Sequence, residues 1–294
     1  MSRQTFDVVV IGAGPAGLEA AAIAASAGLK VVAIDKMGPG GQLMNLGPLI
    51  GVPNLEADAT GPDLLAEIVD RAMSAGAEIA IDDVSNVRRD ADGEHFVVEA
   101  LEATYGAPAV VIATGLTPGT TGLANESHYE GIGLSHCAHC DAPLFEGQPV
   151  AVAGSDAWAV EEAIELAAHA SVVALITEGR PAASEERLSI LRGLGNVTEV
   201  EGRISALTGR DALEGIDVAG AGGAVSRISA RGLFLQTGRR PARGLVTDHL
   251  IETGGVFLAG DVRDGSARTI PEAIAEGVRA GHNAVEWVRA RRRA

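Results

Sequence analysis

Two segments of this chain open in the same way, and a chain that does so twice has few folds open to it. Val8-Val9-Val10-Ile11-Gly12-Ala13-Gly14-Pro15-Ala16-Gly17 is an apolar run, a Gly-x-Gly-x-x-Gly loop and the start of an alanine-rich stretch. Val150-Ala151-Val152-Ala153-Gly154-Ser155-Asp156-Ala157-Trp158-Ala159 repeats the pattern, with Asp156 where the second glycine should stand. A buried strand feeding a glycine turn and then a helix is the opening of a βαβ dinucleotide-binding unit. The expected fold class is therefore α/β, with two dinucleotide-binding (Rossmann-like) domains.

The rest of the chain fits around these openings. Residues 6–12 and 30–35 read as parallel strands joined by a helix over 16–27, and 37–54 as a Gly/Pro-rich loop. Leu64, Leu65, Ile68, Val69 and Met73 recur at helical spacing over 61–75. Short strands follow at 78–81, 85–89 and 95–99, with Asp90-Ala91-Asp92-Gly93 as a hairpin turn, and a buried strand at 109–112. After Thr117-Pro118-Gly119 a second β–α–β unit runs from Val150, with helices over 159–168 and 187–194, a strand at 171–176 and short strands over 197–228. Gly238-Arg239-Arg240-Pro241 breaks the pattern again, and a strand at 255–261 and a long helix over 270–290 close the chain. The second domain is thus expected to be inserted into the first: 1–116 and 245–294 form one, 117–244 the other, and two linker crossings make a hinge.

Charge and cysteine usage limit the function. A net charge of −16 excludes a nucleic-acid partner as the main reading, because phosphate backbones need a basic surface. No signal-peptide pattern precedes the first strand, and the longest apolar stretch, 16–29, contains Glu19 and is too short to span a bilayer. A cytosolic protein without a membrane partner is expected. In that compartment Cys137 and Cys140, the two cysteines of the chain, point to catalysis or metal binding rather than a structural staple.

In the first opening each glycine has its own task. Gly12 makes the tight turn, Gly14 lets the backbone approach a pyrophosphate, and Gly17 lets helix and strand pack closely. The helix N-terminus then faces the phosphates, and Asp35, at the end of the next strand, is placed to accept hydrogen bonds from a ribose.

Four further segments, Gly40-Gly41-Gln42-Leu43, Ala113-Thr114-Gly115, Cys137-Ala138-His139-Cys140-Asp141 and Gly255-Val256-Phe257-Leu258-Ala259-Gly260-Asp261, follow in order. With them the chain resembles, nearly end to end, the low-molecular-weight thioredoxin reductase family of two-dinucleotide-binding flavoproteins. The resemblance implies FAD. Its contacts would be Gly12, Gly14, Pro15, Ala16, Gly17, Asp35 and Lys36 in the first opening, then Ala113, Thr114, Gly115 and Ala273. Gly41, Gln42 and Leu43 would lie near the isoalloxazine, and Gly260 and Asp261 near the ribityl chain. The resemblance also implies a homodimer, with Cys140 facing the flavin, Cys137 meeting the substrate and Asp141 as the acid–base group. Two departures stand out: Ala142 where the family usually has glycine, and Pro271-Glu272-Ala273 where it commonly has Arg-Gln-Ala. The second reads either as a plain helix start or as altered charge beside the flavin.

A Cys-x-x-Cys pair at a helix start favours a thiolate, which attacks a disulfide while the second cysteine resolves the mixed disulfide. His136 and His139 flank the pair and could tune it. The rival readings are a zinc site, which lacks a second ligand pair, and two inert buried cysteines; no metal is expected. In the second opening, where thioredoxin reductases bind NADPH, Asp156 sets a carboxylate in the pyrophosphate path and Trp158 adds bulk. Leu175-Ile176-Thr177-Glu178-Gly179-Arg180 lacks paired arginines for a 2′-phosphate. Glu178 either accepts a ribose 2′-hydroxyl, for NADH, or is an ordinary strand-end charge on a vestigial site. Loss of efficient NAD(P)H binding is the favoured reading.

Three functions remain. A FAD-dependent dithiol oxidase would pass electrons from a small-molecule or protein dithiol to oxygen. A disulfide reductase would draw on NAD(P)H, ferredoxin or a reduced flavin and act on a thioredoxin-like protein. A flavin-binding regulator would not turn over. The expectation is a FAD-dependent thiol–disulfide oxidoreductase leaning to the oxidase.

Overall fold

The structure, a computed structural model, describes residues 3–47, 49, 52, 55–56, 58–91 and 93–293. The chain divides into two compact units, Met1–Thr117 with Pro241–Ala294, and Pro118–Arg240. Among the described residues no helix is long and apolar enough to cross a membrane.

The first unit is built on a parallel sheet of five strands, in the order Val256–Leu258, Ala109–Ile112, Val8–Ile11, Val31–Asp35 and Glu78–Ile81. Its central strands are apolar up to Asp35, the last residue of Val31–Asp35, because both faces are covered. Val8, Val10, Val31, Ala33 and Val111 face a core with the helices Pro15–Ser26, Gly61–Ser74 and Ile270–Arg291. Val9, Ile11, Val32, Ile34 and Val110 face a second core, shared with the sheet Arg3–Thr5, Thr104–Ala107, Phe96–Ala100 and Val84–Arg89. Arg3–Thr5 and Thr104–Ala107, absent from the sequence reading, complete that sheet.

Small residues set how closely the two long helices approach. Gly277 and Gly281 of Ile270–Arg291 lie over Ala16 and Ala20 of Pro15–Ser26, and a Cβ at Gly277 would stand 2.2 Å from the Ala16 carbonyl oxygen. A Cβ at Gly17 would stand 1.9 Å from the Gly12 carbonyl oxygen, so the helix start sits directly on the glycine turn. The expected loop over 37–54 contains a 3-10 helix, Gly41–Asn45, and its residues 48, 50, 51, 53 and 54 lie outside the described residues. Asp92 of the hairpin does as well. Thr269 caps the last helix, which begins at Ile270, so Pro271 takes the second helical position rather than the first.

The second unit repeats the plan. Its parallel sheet runs Leu134–Ser135, Gly232–Leu235, Pro149–Ala153, Val172–Thr177 and Val197–Glu201. Ala151 and Ala153 face a core with Ile204, Leu207, Ile216 and Val218, from the antiparallel strands Arg203–Thr208, Gly215–Ala219 and Val225–Ser229. Val150 and Val152 face the helices Ala157–Leu166 and Glu185–Gly193. Ala138 and Ala142 are buried in this same core, so the Cys-x-x-Cys turn is anchored on the helix that opens the second dinucleotide fold.

Gly277→Val should therefore lower the stability of the protein by about 1–3 kcal/mol, the usual range for forcing methyl groups into a closed contact. Urea unfolding against the parent chain measures it.

Candidate dithiol site and dinucleotide cradles

In the first unit the helix Pro15–Ser26 begins with Gly14 as its cap residue, and no side chain caps it. A Cβ at Gly14 would meet nothing within 4 Å. The first-turn N–H groups thus face open space with their positive dipole end unneutralised, an arrangement suited to a pyrophosphate. Gly12 has a φ of +102°, and a Cβ there would stand 2.3 Å from the Ala113 carbonyl oxygen, so the turn requires glycine. Asp35 accepts hydrogen bonds from Ala13 N–H at 2.9 Å and Met37 N–H at 3.0 Å, fastening the strand end to the glycine loop.

The structure brings most of the remaining expected contacts to the same place. Gly40 N–H donates to the Ala13 carbonyl at 3.0 Å, and a Cβ at Gly41 would lie 3.4 Å from Gly14 Cα. Gln42 Nε2 donates to Asp261 Oδ2 at 3.4 Å, and Ser266 Oγ donates to the other Asp261 oxygen at 3.2 Å. Gly260 packs against Ala16, and its N–H donates to the buried Glu276 at 2.7 Å, with Arg263 paired to the same carboxylate. Thr114 Oγ1 donates to the Ala242 carbonyl at 2.7 Å, beside Gly115. Leu43 is buried in the core, Ala273 packs against it, and Lys36 is exposed at the strand end. Pro15 takes the first helical turn, where its missing N–H removes no hydrogen bond.

The second helix end carries its own side-chain cap. The helix Ala157–Leu166 is capped by Asp156, whose Oδ1 accepts from Ala159 N–H at 3.0 Å. Ser155 Oγ accepts from Glu178 N–H at 2.9 Å, and the Ser155 carbonyl accepts from Ala182 N–H at 2.7 Å, tying the loop to the end of the next strand. Trp158 carries the Arg239 guanidinium on its ring face, 4.5 Å from the ring centroid.

Cys137 and Cys140 form a disulfide with their Cα atoms 5.4 Å apart. Cys137 is the cap residue of the short helix Ala138–Asp141, and its sulfur accepts from Cys140 N–H at 3.1 Å. Cys137 is half-buried and Cys140 exposed. Ser135 Oγ donates to Asp141 Oδ2 at 2.7 Å and accepts from Cys137 N–H at 3.2 Å, which fixes Asp141 relative to the pair. His136 and His139 turn to carboxylates instead, Glu130 at 3.1 Å and Glu165 at 3.0 Å. Among the described residues no group of three or more His, Cys, Asp and Glu is arranged to hold a metal ion.

Four further side chains surround this turn without having been singled out in the sequence. Glu162 is buried at 4% exposure, and its Oε1 accepts from Ala138 N–H at 3.4 Å and Gln236 Nε2 at 2.8 Å. Arg239 Nη2 donates to Gln236 Oε1 at 2.9 Å. Ser135 completes the set. The signal for Glu162 was present: it lies on the apolar stripe of Ala159, Ala163 and Leu166, where the helical period calls for an apolar side chain. Burial pushes its carboxyl up to about 7, against the opposing pull of Gln236, Ala138 N–H and Arg239.

A dinucleotide cradle with an open helix end, followed in the chain by a dithiol turn seated on a second dinucleotide fold, defines a flavin-dependent thiol–disulfide oxidoreductase. A family model described as pyridine nucleotide-disulphide oxidoreductase matches residues 6–277. A thioredoxin reductase of Listeria monocytogenes is 33% identical, over 97% of this chain and 95% of that protein. Among solved structures, thioredoxin reductase from Lactococcus lactis gives a TM-score of 0.83 at 25% identity, covering 97% of this chain and 99% of that one. A ferredoxin-flavin thioredoxin reductase from Clostridium acetobutylicum gives 0.50 at 26% identity, covering 98% and 100%. The chain belongs to the pyridine nucleotide-disulphide oxidoreductase family, among its thioredoxin reductase-like members, which use FAD.

The raised carboxyl carries a pH signature. Glu162 stays protonated in the folded protein up to about pH 7, against an ordinary value of 4.5. The folded state then binds the extra proton between these limits. The stabilisation is complete below about pH 4.5 and is lost as pH rises through 7. Glu162→Gln removes the loss. Its stability relative to the parent chain should rise by about 3 kcal/mol between pH 4.5 and pH 8, read by urea unfolding of the oxidised proteins.

Proposed function

We propose that the chain is a FAD-dependent dithiol oxidase that makes no efficient use of NADPH. Its net reaction converts a dithiol and oxygen to a disulfide and hydrogen peroxide. The observation that carries this reading is the contrast between two equivalent helix ends, Gly14 open and uncapped and Asp156 self-capped. For a dinucleotide to enter the second cradle, the Asp156 cap would have to be given up, at about 1 kcal/mol. Its carboxylate would also repel the pyrophosphate by about 1–4 kcal/mol for each unit charge near 4 Å. The repulsion is the larger penalty. Glu178 adds a like charge where a 2′-phosphate would lie.

The first cradle suits FAD. Gly12, Gly14, Pro15, Ala16 and Gly17 would hold its pyrophosphate, with Asp35 and Lys36 toward the adenosine end. Gly41, Gln42, Leu43, Ala113, Thr114, Gly115, Gly260, Asp261 and Ala273 would line the remainder. Bound there, FAD supplies two-electron exchange with a dithiol. The protein's own part is thiol exchange. A substrate thiolate attacks Cys137, breaking the bond to Cys140, which leaves as a thiolate. The second substrate thiol resolves the mixed disulfide, and its proton moves by way of Asp141, held by Ser135. The substrate is a small-molecule or protein dithiol, and a thioredoxin-like protein fits this chemistry. A cytosolic homodimer completes the reading.

A second reading runs the same site in reverse, as a disulfide reductase. The names of the relatives favour it, and the Clostridium acetobutylicum protein is one whose name carries ferredoxin as well as flavin. A net charge of −16 does not favour docking an acidic ferredoxin.

Anaerobic bleaching of the flavin separates the two. The oxidase reading expects a dithiol to bleach it, NADPH and NADH to leave it oxidised, and admitted air to restore the colour with peroxide formed. Rapid bleaching by either nicotinamide establishes the reductase. Bleaching by dithiol with only slow return in air assigns the electrons to a protein partner.

A further inference from the structure

We propose that Glu162 is a positioning residue for the dithiol chemistry and its proton partner, taking up a proton when the Cys137–Cys140 bond is reduced and releasing it when the bond re-forms. The inference rests on the thiol–disulfide reading above and concerns a residue outside the Cys–Cys–Asp set.

Its basis is a buried, half-satisfied carboxyl under a redox-active turn. Glu162 is more than nine-tenths buried, and its Oε1 receives the N–H of Ala138, the residue directly after Cys137. Its Oε2 is buried and has no hydrogen-bond partner among the described residues. A carboxylate in that position leaves a desolvated oxygen uncompensated, whereas a carboxylic acid spreads no charge into the core. The structure thus keeps a group whose charge is finely balanced within one residue of the sulfur that changes charge.

The groups facing it bear out the balance. Arg239, reached through Gln236, draws it toward the carboxylate, and Glu165 on its own helix draws it toward the acid. On the dithiol turn, His139 is paired with Glu165 and Asp141 with Ser135, and the two sulfurs change charge when their bond breaks. His136, just before the turn, is paired with Glu130. The strands Pro149–Ala153 and Val172–Thr177 packed behind the helix carry no titratable side chain. On the neighbouring helix Glu185–Gly193, Arg187 is held by Glu161, Arg192 by Glu199 and Glu185 by Arg180, while Glu186 is exposed. A negative charge formed on sulfur at the start of Ala138–Asp141 therefore favours the proton on Glu162, and disulfide formation releases it.

The proton count follows. A dithiol reductant gives two electrons and two protons as it becomes a disulfide. The Cys137–Cys140 bond breaks, one sulfur keeps a proton, the other remains a thiolate, and the second proton ends on Glu162. With Gln at 162 that second proton goes to solvent.

The test is the pH dependence of the Cys137–Cys140 redox equilibrium, followed by thiol labelling in dithiothreitol buffers at pH values above 7. There the parent protein should take up more protons for each electron pair than Glu162→Gln, by up to about one. Glu162→Asp should restore part of the difference. Equal proton counts in parent and Glu162→Gln overturn the proposal. A readout on the parent chain alone guards against a variant that fails to fold. At pH 8, reduced-minus-oxidised infrared spectra should gain the C=O band of a protonated carboxyl, and the band should persist in Asp141→Asn. Its absence there overturns the proposal even if the dithiol is redox-active. A disulfide that dithiothreitol never reduces overturns the thiol–disulfide reading itself, and the proposal with it.

Discussion

The positive end of a helix at a strand–turn–helix junction is the feature on which this molecule turns. The fold supplies it twice, each time with N–H groups that must be satisfied by something. In the first unit no side chain among the described residues caps them: Gly14 has none to offer, and the space beside it is open. In the second unit Asp156 satisfies Ala159 N–H itself. One substitution of carboxylate for hydrogen thus separates a cradle that invites an anion from one that has supplied its own. The same sheet and helix geometry stands behind both, and the two helix ends differ in whether a side chain caps them.

The dithiol takes its setting from the second fold. The Cys137 turn is seated on the helix Ala157–Leu166, and that helix offers it Glu162 from below. Arg239 links the two sites: its guanidinium lies on Trp158, beside the Asp156 cap, and reaches, through Gln236, the carboxyl beneath the cysteines.

Much of this was legible from sequence, for reasons that are local. Apolar runs such as Val8–Ile11 and Val150–Ala153 are buried on both faces, and that leaves no alternation to misread. Glycine positions such as Gly12 and Gly17 are legible because their Cβ atoms would strike backbone. The strands Arg3–Thr5 and Thr104–Ala107 were missed because they are short, and their pairing joins residues about a hundred positions apart. The 3-10 helix Gly41–Asn45 was hidden in a stretch whose glycines suggested loop. At the dithiol, Cys137, Cys140 and Asp141 announce themselves by spacing, but Ser135, Gln236 and Arg239 become neighbours only through tertiary packing. Glu162 was readable in principle, as a charge on an apolar stripe, yet its role depends on a partner, Ala138 N–H, that only the fold supplies.

Whether Asp156 keeps NADPH from the second helix end is tested most simply by direct binding. NADPH affinity would be measured by calorimetry for the oxidised parent protein and for Asp156→Gly. Combined cap loss and repulsion of several kcal/mol would move a micromolar site to the millimolar range. The account predicts no saturation of the parent protein below about 1 mM, with measurably tighter binding once the carboxylate is removed. Saturation of the parent protein at micromolar NADPH, unchanged by Asp156→Gly, would contradict it.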